Sequence, residues 1–162
     1  MERVLVSACL LGRPVRYDGG SKPRADRILL RWRAEGRLVS CCPEVEGGLP
    51  VPRPPAEIAP AKRLKVCAID GKDVTDPFVR GAEAALATAR RHDIKMAVLK
   101  DDSPSCGSTR IYDGTFTGRS VAGSGVTTRL LQRHGIRVFS EHALDEAAAY
   151  LTALEDPDHH DR

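Results

Sequence analysis

Three of the five cysteines lie where a predicted strand ends and a turn begins. Cys9 follows the apolar run VLVSA, Cys42 follows LVSC, and Cys106 lies in the polar loop after MAVL. In an open α/β sheet the carboxyl ends of parallel strands meet at one crevice, where ligands bind. The three thiols, although far apart in sequence, are therefore expected in one pocket. Such soft ligands indicate a metal or iron–sulfur centre with one position left open for substrate.

Strand-like and helix-like segments alternate along the chain. Short apolar runs predict strands at 4–8, 38–41, 65–69, 96–99 and 137–139. Apolar residues at helical spacing predict helices at 24–35, 77–89, 126–134 and 143–154, with Asp76 as the N-cap of the second and Pro77 as its first residue. This alternation is typical of the α/β class, with a mostly parallel sheet flanked by helices.

Two segments are predicted to be loops. Residues 47–63 contain five prolines and are predicted to form no regular structure, because proline cannot donate a backbone hydrogen bond. We interpret this segment as an ordered loop packed over the pocket. Residues 111–125 are rich in glycine and are predicted to be a loop or a short hairpin.

The composition limits the class of protein. At 162 residues, with 41% hydrophobic and 29% charged residues, one globular domain is predicted over 1–155, with a flexible tail at 156–162. An aromatic content of 4% and a net charge of +3 give little support for a nucleic-acid polymer as partner. No run approaches the roughly 20 apolar residues of a membrane helix. No secretory signal is recognisable, and the odd number of cysteines favours the cytoplasm. The sequence carries no sign of the oligomeric state.

The motif SPSCG surrounds the third cysteine. Ser103, Ser105 and the backbone amides near Gly107 form a loop rich in hydrogen-bond donors, which suits a thiolate, a cluster sulfide or an oxyanion. A serine-rich turn that caps a helix explains the same pattern equally well.

The motif CCPE ends with Glu44, two positions after Cys42. If Cys42 binds metal, Glu44 lies in the same turn and could carry protons there, although most glutamates are solvated. Adjacent side chains on an extended backbone point in different directions, so only one of Cys41 and Cys42 is expected to reach the pocket. The rigid turn at Pro43 favours Cys42. Cys67, in the middle of a predicted strand, is interpreted as a small buried hydrophobe.

Other signals are weaker. The cysteines form no C-x-x-C pair, which excludes ferredoxin-like and zinc-ribbon patterns. His92 and His134 fall at predicted helix C-termini, where the helix dipole accounts for them. The arginines of the predicted loops could bind a phosphate, but solvated charges are the simpler interpretation; they are Arg13, Arg16, Arg53 and Arg110.

The chain resembles the thiouracil desulfidases, single-domain proteins formerly grouped as a domain of unknown function. The resemblance runs through nearly the whole chain, and the combination of SPSCG with YDGTF is specific. The matching stretches are SACLLGRPVRYDGGSK (7–22), CPEVEGGLPVPRPPAEI (42–58), GKDVTDPFVRGAE (71–83), LKDDSPSCGSTRIYDGTFTG (99–118) and GSGVTTRLLQRHGI (123–136).

The resemblance implies a Rossmann-like α/β fold and a [4Fe-4S] cluster held by three cysteines, which by motif are Cys9, Cys42 and Cys106. It also implies that Glu44 is the acid–base residue and Ser103 the hydrogen-bonding residue beside an iron without a protein ligand. The implied reaction is non-redox. A thiolated pyrimidine (2-thiouracil, 4-thiouracil or a 4-thiouridine nucleotide) is converted to the oxo-pyrimidine, with release of hydrogen sulfide.

Two other classes of function stay open on the residues alone. One is a cysteine-nucleophile hydrolase or transferase without a cluster, in which the loop dipoles activate Cys106. No histidine is evidently placed as its base. The other is a non-catalytic iron–sulfur or zinc-binding module.

Overall fold

Strands and helices alternate in the structure, a computed structural model that describes residues 1–14, 16–20 and 26–156. The strands are β1 (Val4–Ser7), β2 (Leu38–Cys41), β3 (Ala56–Ile58), β4 (Val66–Ala68), β5 (Met96–Leu99), β6 (Arg110–Tyr112), β7 (Ser120–Ala122) and β8 (Arg137–Ser140). The helices are α1 (Arg27–Ala34), α2 (Pro43–Glu46), α3 (Thr75–Arg91), α4 (Val126–Arg133) and α5 (Leu144–Glu155). A 3₁₀ turn, Ala8–Leu11, follows β1 directly.

The central sheet has four strands in the order β2-β1-β5-β8, and every neighbouring pair is parallel. The α/β class and the parallel sheet flanked by helices are thereby confirmed. The two inner strands, β1 and β5, are buried along their whole length, which explains why VLVS and MAVL read as nearly unbroken apolar runs. Because the strands run in one direction, their carboxyl ends share one edge of the sheet.

Alternate residues of the inner strands pack against helices on opposite faces. Val6 and Val98 point toward α1 and α5, where Trp32 and Leu151 are buried. Leu5, Ala97 and Leu99 point toward α3 and α4 and pack with Ala85, Leu86 and Leu131. Complete burial of one such leucine stabilises the fold by about 1.5–3 kcal/mol.

Two antiparallel hairpins lie outside the central sheet. β6 and β7 form the short hairpin expected in the glycine-rich segment. β3 pairs with β4, so the prediction that 47–63 has no regular structure is wrong. Four of its five prolines lie at or before Pro55 and the fifth is Pro60. The residues between them retain their N–H groups and can join a ladder.

Two helix starts differ from the prediction. α3 begins at Thr75 with Val74 as N-cap, so Asp76 lies in the first turn and is not the cap. Asp73, one residue before the N-cap, accepts the N–H of Thr75 through Oδ1 at 2.9 Å. α1 begins at Arg27, with Asp26 accepting the N–H of Ile28 at 2.7 Å. The first residues predicted for α1 lie outside the described part of the chain.

The predicted tail, 156–162, lies outside the described residues except for Asp156. Among the helices of the described part of the chain, none is long and apolar enough to cross a membrane.

Candidate active site

A cavity of about 530 Å³ opens at the carboxyl edge of the central sheet. This volume suits a small ligand. All five residues predicted from the sequence to form the site border it: Cys9, Cys42, Glu44, Ser103 and Cys106. Three different loops supply them, each following a strand of the parallel sheet, as the position of the cysteines in the sequence predicted.

The three cysteines occupy different local structures. Cys9 lies in the 3₁₀ turn, one residue beyond the predicted end of β1, and is mostly buried. Cys42 immediately precedes α2 and is half-buried. Cys106, with 4% of its surface exposed, lies in the turn formed by SPSCG. None of the five cysteines, all within the described residues, forms a disulfide bond.

The turn around Cys106 is held by Ser103. Ser103 Oγ accepts the N–H groups of Ser105 at 3.2 Å and Cys106 at 3.1 Å. Thr128 of α4 donates its hydroxyl to the carbonyl of Cys106 at 2.9 Å. Gly125 leaves no room for a Cβ, which would lie 2.5 Å from the Ser105 carbonyl. The serine motif therefore builds a rigid turn and also lines the cavity. The N-cap of the following helix, α4, is Gly125, so the serine side chains do not cap that helix.

Glu44 lies in the first turn of α2 and is not solvated. Its Oε1 pairs with Arg53 Nε at 3.1 Å, and its Oε2 accepts the hydroxyl of Ser105 at 2.9 Å. Only 15% of the Glu44 side chain and 4% of the Arg53 side chain are exposed. The interpretation of Arg53 as a solvated loop charge is therefore wrong. A buried charge requires a partner. The proline-rich segment places Arg53 at the border of the cavity, where it pairs with Glu44.

A short chain of hydroxyl groups leads from Ser103 through Ser105 to Glu44 in α2. Ser103 Oγ and Ser105 Oγ are 2.9 Å apart, and Ser105 Oγ is 3.6 Å from Cys106 Sγ. Since Ser105 donates to Glu44, a proton can pass from Ser103 to Ser105 to the carboxylate. The SPSCG motif pointed to both serines and the family resemblance to Ser103, whereas Ser105 is the serine that contacts Glu44.

Cys41 and Cys42 both border the cavity, so the expectation that only one of them would reach it is wrong. Cys41, only 1% exposed, packs with Leu5 and Ala97 in the core under the cavity. Cys67 is in the middle of β4, as predicted, but it is half-buried because its two neighbours take the buried face. It does not border the cavity.

Burial raises the pKa values of the cavity cysteines. Burial, followed by the neighbouring Cys42, raises the pKa of Cys9 from 9.0 to about 11. Burial raises the pKa of Cys106 to about 12, despite hydrogen bonds from Ser7 and Ser105 that lower it. Burial likewise raises the pKa of Cys42. A catalytic thiol needs a lowered pKa, and no histidine is among the described residues that border the cavity. The site is therefore unlike that of a cysteine nucleophile.

The donor set fits a multi-iron group better than a single ion. In the described part of the chain, no three His, Cys, Asp or Glu side chains are close enough to share one metal ion. A single zinc ion would draw its thiolates to within about 2.3 Å of one point. Thiols spaced around a larger cavity suit a group with several irons, each of which takes its own cysteine.

Lys100, which borders the cavity, forms a second ion pair that sequence reasoning missed. Lys100 Nζ lies 3.1 Å from Glu141 Oε2, and Glu141 is 3% exposed. Glu141 also accepts the N–H of Asp101 at 2.8 Å, and Ser7 Oγ accepts that of Lys100 at 2.9 Å. These contacts fix the start of the Cys106 loop to β1 and β8.

Asp101 organises the rest of that loop. Its Oδ1 accepts N–H groups from Ser108 at 3.1 Å, Thr109 at 3.2 Å and Arg110 at 3.1 Å, and its Oδ2 accepts the Thr109 hydroxyl. Burial alone would raise the pKa of Asp101, but these hydrogen bonds outweigh burial and lower it. The two aspartates of KDD, directly before SPSCG, were the sequence signal for such a residue. Nothing in the sequence showed which of the two side chains would turn into the loop.

The remaining predicted residues lie away from the cavity, except Arg16, which borders it. Arg110 is exposed and bonds Ser120 across the β6–β7 hairpin, and Arg13 is exposed. His92 and His134 are the C-caps of α3 and α4, as predicted.

Three comparisons with known proteins each match most of the chain. The family model described as 2-thiouracil desulfurase matches residues 4–143. The uncharacterized protein YbbK of Bacillus subtilis (strain 168) is 40% identical over 150 residues, which cover 88% of this chain and 98% of that protein. The solved structure of the [4Fe-4S]-dependent thiouracil desulfidase TudS is 55% identical with a TM-score of 0.90, and the match covers 94% of this chain and 99% of that one.

Proposed function

The chain belongs to the 2-thiouracil desulfurase family, and we propose that it removes sulfur from thiolated pyrimidines at a [4Fe-4S] cluster. The reaction converts a thiocarbonyl and water to a carbonyl and hydrogen sulfide. One C–S double bond is replaced by a C–O double bond and no net electrons move, so neither a reductant nor ATP is required. One observation carries this proposal: three thiols and a buried carboxylate share one small cavity.

Cys9, Cys42 and Cys106 would hold the cluster. The likeness to a [4Fe-4S]-dependent enzyme at 55% identity supports the cofactor, and the all-sulfur donor set from three loops supports these ligands. When bound through three thiolates, the cluster supplies one iron without a protein ligand, a Lewis acid with affinity for the substrate's soft sulfur.

Glu44 is the residue proposed to move protons. Its carboxylate accepts a proton from the water whose oxygen replaces the sulfur, and the departing sulfur takes up protons to leave as hydrogen sulfide. Arg53 and Ser105 each contact one oxygen of Glu44 and hold it in place. We place that water near Ser105, whose hydroxyl contacts Glu44 Oε2 at 2.9 Å and lies 3.6 Å from Cys106 Sγ.

Ser103 is proposed to hydrogen-bond the substrate or to relay a proton through Ser105. The 2.9 Å contact between the two hydroxyl oxygens supports the relay. A hydroxyl can both donate and accept a hydrogen bond. The two serine hydroxyls can therefore keep a hydrogen bond to the substrate as its thiocarbonyl becomes a carbonyl.

The setting of the enzyme is part of the proposal. We place it in the cytoplasm as a single domain over 1–155 that acts on small thiopyrimidines, and not on a membrane or a nucleic-acid polymer. Support comes from the absence of disulfides among the five cysteines and from the family match, which spans 4–143.

The decisive experiment uses protein purified without oxygen, with iron and sulfide measured before the assay. The substrates tested are 2-thiouracil, 4-thiouracil and 4-thiouridine monophosphate. We expect at least one of them to give the oxo-product and an equal amount of hydrogen sulfide without an electron donor. Cluster-free protein serves as the control and should be inactive. Turnover by the cluster-free protein would support a cysteine nucleophile. Full cluster content without turnover of any thiopyrimidine would leave a binding module.

A further inference from the structure

We infer that Phe116 is the residue that recognises the planar ring of the substrate, and that Glu57 positions it. This inference rests on the proposed function and assigns it a specificity-determining side chain. Phe116 lies in the YDGTFTG segment between β6 and β7, and it borders the cavity that Cys9, Cys42 and Cys106 share. Neither thiolates nor Glu44 can distinguish a flat ring from another sulfur compound, so a further group must do so.

Aromatic side chains are concentrated at this cavity. The chain has one tryptophan, three tyrosines and three phenylalanines. Three of them, Tyr17, Tyr112 and Phe116, border the cavity. Trp32, Phe78 and Phe139 are buried in the core, and Tyr150 packs on Phe139 with ring centroids 5.7 Å apart. The aromatic residues that the core does not use therefore collect where the substrate would bind.

Of the three, Phe116 is the least exposed and the one with an unusual backbone conformation. Tyr17 and Tyr112 are exposed, whereas Phe116 is half-buried. Phe116 has φ of 58°, a left-handed conformation that is rare for a bulky residue. Such a conformation persists only where the surrounding structure imposes it, and it occurs preferentially at functional sites.

Glu57 of β3 supplies that constraint. Its side chain reaches from the neighbouring hairpin, and its Oε1 accepts the N–H of Gly114 at 2.9 Å and the N–H of Phe116 at 3.2 Å. Glu57 is 8% exposed and itself borders the cavity. A buried carboxylate with two backbone donors from one loop fixes the path of that loop.

The rest of the loop braces the same conformation. Gly114 has φ of 94°, and a Cβ there would lie 2.8 Å from the carbonyl of Ile58. Asp113 Oδ1 accepts both the N–H and the hydroxyl of Thr115, at 3.0 and 2.5 Å. The loop is thus packed against β3 on one side and closed by its own hydrogen bonds on the other, and Phe116 is held beside the cavity.

A rigid ring at this place suits a pyrimidine. Aromatic rings stack on the face of any nucleobase, whatever its substituents, and exclude water from it. By alanine substitution, base stacking is worth about 5- to 100-fold in affinity. Stacking does not depend on the thiocarbonyl, so it acts on substrate and transition state equally and belongs in KM rather than kcat.

The test compares Phe116→Ala and Phe116→Tyr in the cluster-loaded enzyme. We expect Phe116→Ala to raise KM for the thiopyrimidine about 5- to 100-fold with little change in kcat, and Phe116→Tyr to stay near the native value. Thr117→Ser is the matched control, because Thr117 shares the loop but does not border the cavity, and serine keeps the hydroxyl that contacts Thr115 at 2.7 Å. Binding of uracil, measured by equilibrium dialysis, should weaken in parallel and does not depend on turnover.

Glu57 is tested with two variants. Glu57→Gln keeps an oxygen that can accept both N–H groups, whereas Glu57→Ala removes it. We expect Glu57→Ala to reproduce the raised KM and weakened uracil binding of Phe116→Ala, and Glu57→Gln to restore native behaviour. A merely structural role would lower the active fraction in both variants without changing KM.

The outcomes separate the two ideas. An active native enzyme whose Phe116→Ala variant keeps its KM and its uracil affinity within twofold would overturn the role of Phe116 alone. A native enzyme that binds uracil through Phe116 but releases no sulfide from any thiopyrimidine would support ring recognition and overturn the proposed desulfidation.

Discussion

The Ser105 hydroxyl donates a hydrogen bond of 2.9 Å to Glu44 Oε2, and the two residues are 61 positions apart in the chain. The same hydroxyl lies 3.6 Å from Cys106 Sγ. The helix that carries Glu44 begins directly after Cys42, so the carboxylate is tied to two of the three proposed cluster ligands. Its position relative to the cavity is therefore set by the same loops that would bind the cofactor.

Glu44→Gln is expected to lower kcat about 10²–10⁴-fold, the usual contribution of general acid–base catalysis. Glutamine keeps the shape and an oxygen acceptor for Arg53 but cannot take up a proton at neutral pH. Iron and sulfide content should stay unchanged, because a carboxylate is a poor ligand for iron that thiolates already hold. Near-native turnover in this variant would assign the proton transfer to another group, and loss of the cluster would make Glu44 structural.

Ser105→Ala is expected to lower kcat about 10- to 100-fold, since a hydrogen bond to a charged group contributes about 1.5–3 kcal/mol. Ser103→Ala is expected to lower the free energy of unfolding by about 1–3 kcal/mol as well, because two backbone N–H groups lose their acceptor. Ser108→Ala is the control: among the described residues, the buried Ser108 hydroxyl has no hydrogen-bond partner. Steady-state kinetics and urea unfolding distinguish the three. Equal losses in all three variants would contradict the separate roles.

The central sheet could be predicted because its signals are local. β5 matches the predicted bounds, since a strand buried on both faces must be apolar throughout. β2, a half-buried strand at the edge of the sheet, also matches, because Pro43 follows it closely and ends the apolar run. β3 could not be recognised, because three residues between prolines carry no periodicity and the strand exists only through its pairing with β4. The N-cap of α3 was misplaced because Asp76 followed by Pro77 is a typical helix start, whereas the helix already begins at Thr75 after Val74, a residue whose side chain makes no capping hydrogen bond.

The gathering of the three cysteines at one cavity was predictable from the sequence, but the contacts that support the cavity were not. Parallel strands bring their following loops together by topology alone, which is why Cys9, Cys42 and Cys106 could be grouped. The pairing of Glu44 with Arg53 depends on how a proline-rich loop returns to the sheet, and that path has no sequence signature. Likewise, two serines flank Pro104, and only the folded turn shows that Ser105 faces Glu44.

Cysteine replacement should separate cluster ligands from bystanders. We expect Cys9→Ala, Cys42→Ala and Cys106→Ala each to lose iron, sulfide and the visible absorbance of the protein, because each removes one of three thiolates. Cys67→Ala, away from the cavity, should keep all three signals. Cys41→Ala should keep them too, since Cys41 packs in the core. If the Cys42→Ala protein kept its full iron content, the third cluster ligand would be reassigned from Cys42 to Cys41.

Alkaline pH should destabilise the cluster-free protein through its buried thiols. The unfolded chain releases the protons of these thiols near pH 9.0, while Cys9 and Cys106 keep them until about pH 11 and 12 in the folded protein. The stabilisation is therefore complete below pH 9 and is lost as pH rises from 9 through the folded values. We expect the Tm to fall over this range, and to fall less in Cys106→Ala than in the native chain when each is compared with its own value at pH 8. If the Tm fell equally with pH in the native protein and in Cys106→Ala, the raised pKa of Cys106 would be contradicted.

Asp101→Asn should weaken the Cys106 loop in a way that depends on acid pH. The carboxylate accepts N–H groups from Ser108, Thr109 and Arg110 through Oδ1. Asparagine keeps that oxygen but loses the negative charge, and the nitrogen that replaces Oδ2 cannot accept the Thr109 hydroxyl. Hydrogen bonds to a charged group contribute about 1.5–3 kcal/mol, and we expect a loss of about that size in the free energy of unfolding at pH 7.

The sign of the pH effect follows from the lowered pKa of Asp101. Its stabilisation is present above the unfolded value of 3.8 and is lost as pH falls through the lower folded value, so the difference between native and variant should shrink there. Asp102→Asn, at the neighbouring carboxylate, is the control and should change stability less. Urea unfolding at pH 7 and at successive acid values measures both, and a difference that stays constant down to the lowest pH would show that the Asp101 charge contributes nothing.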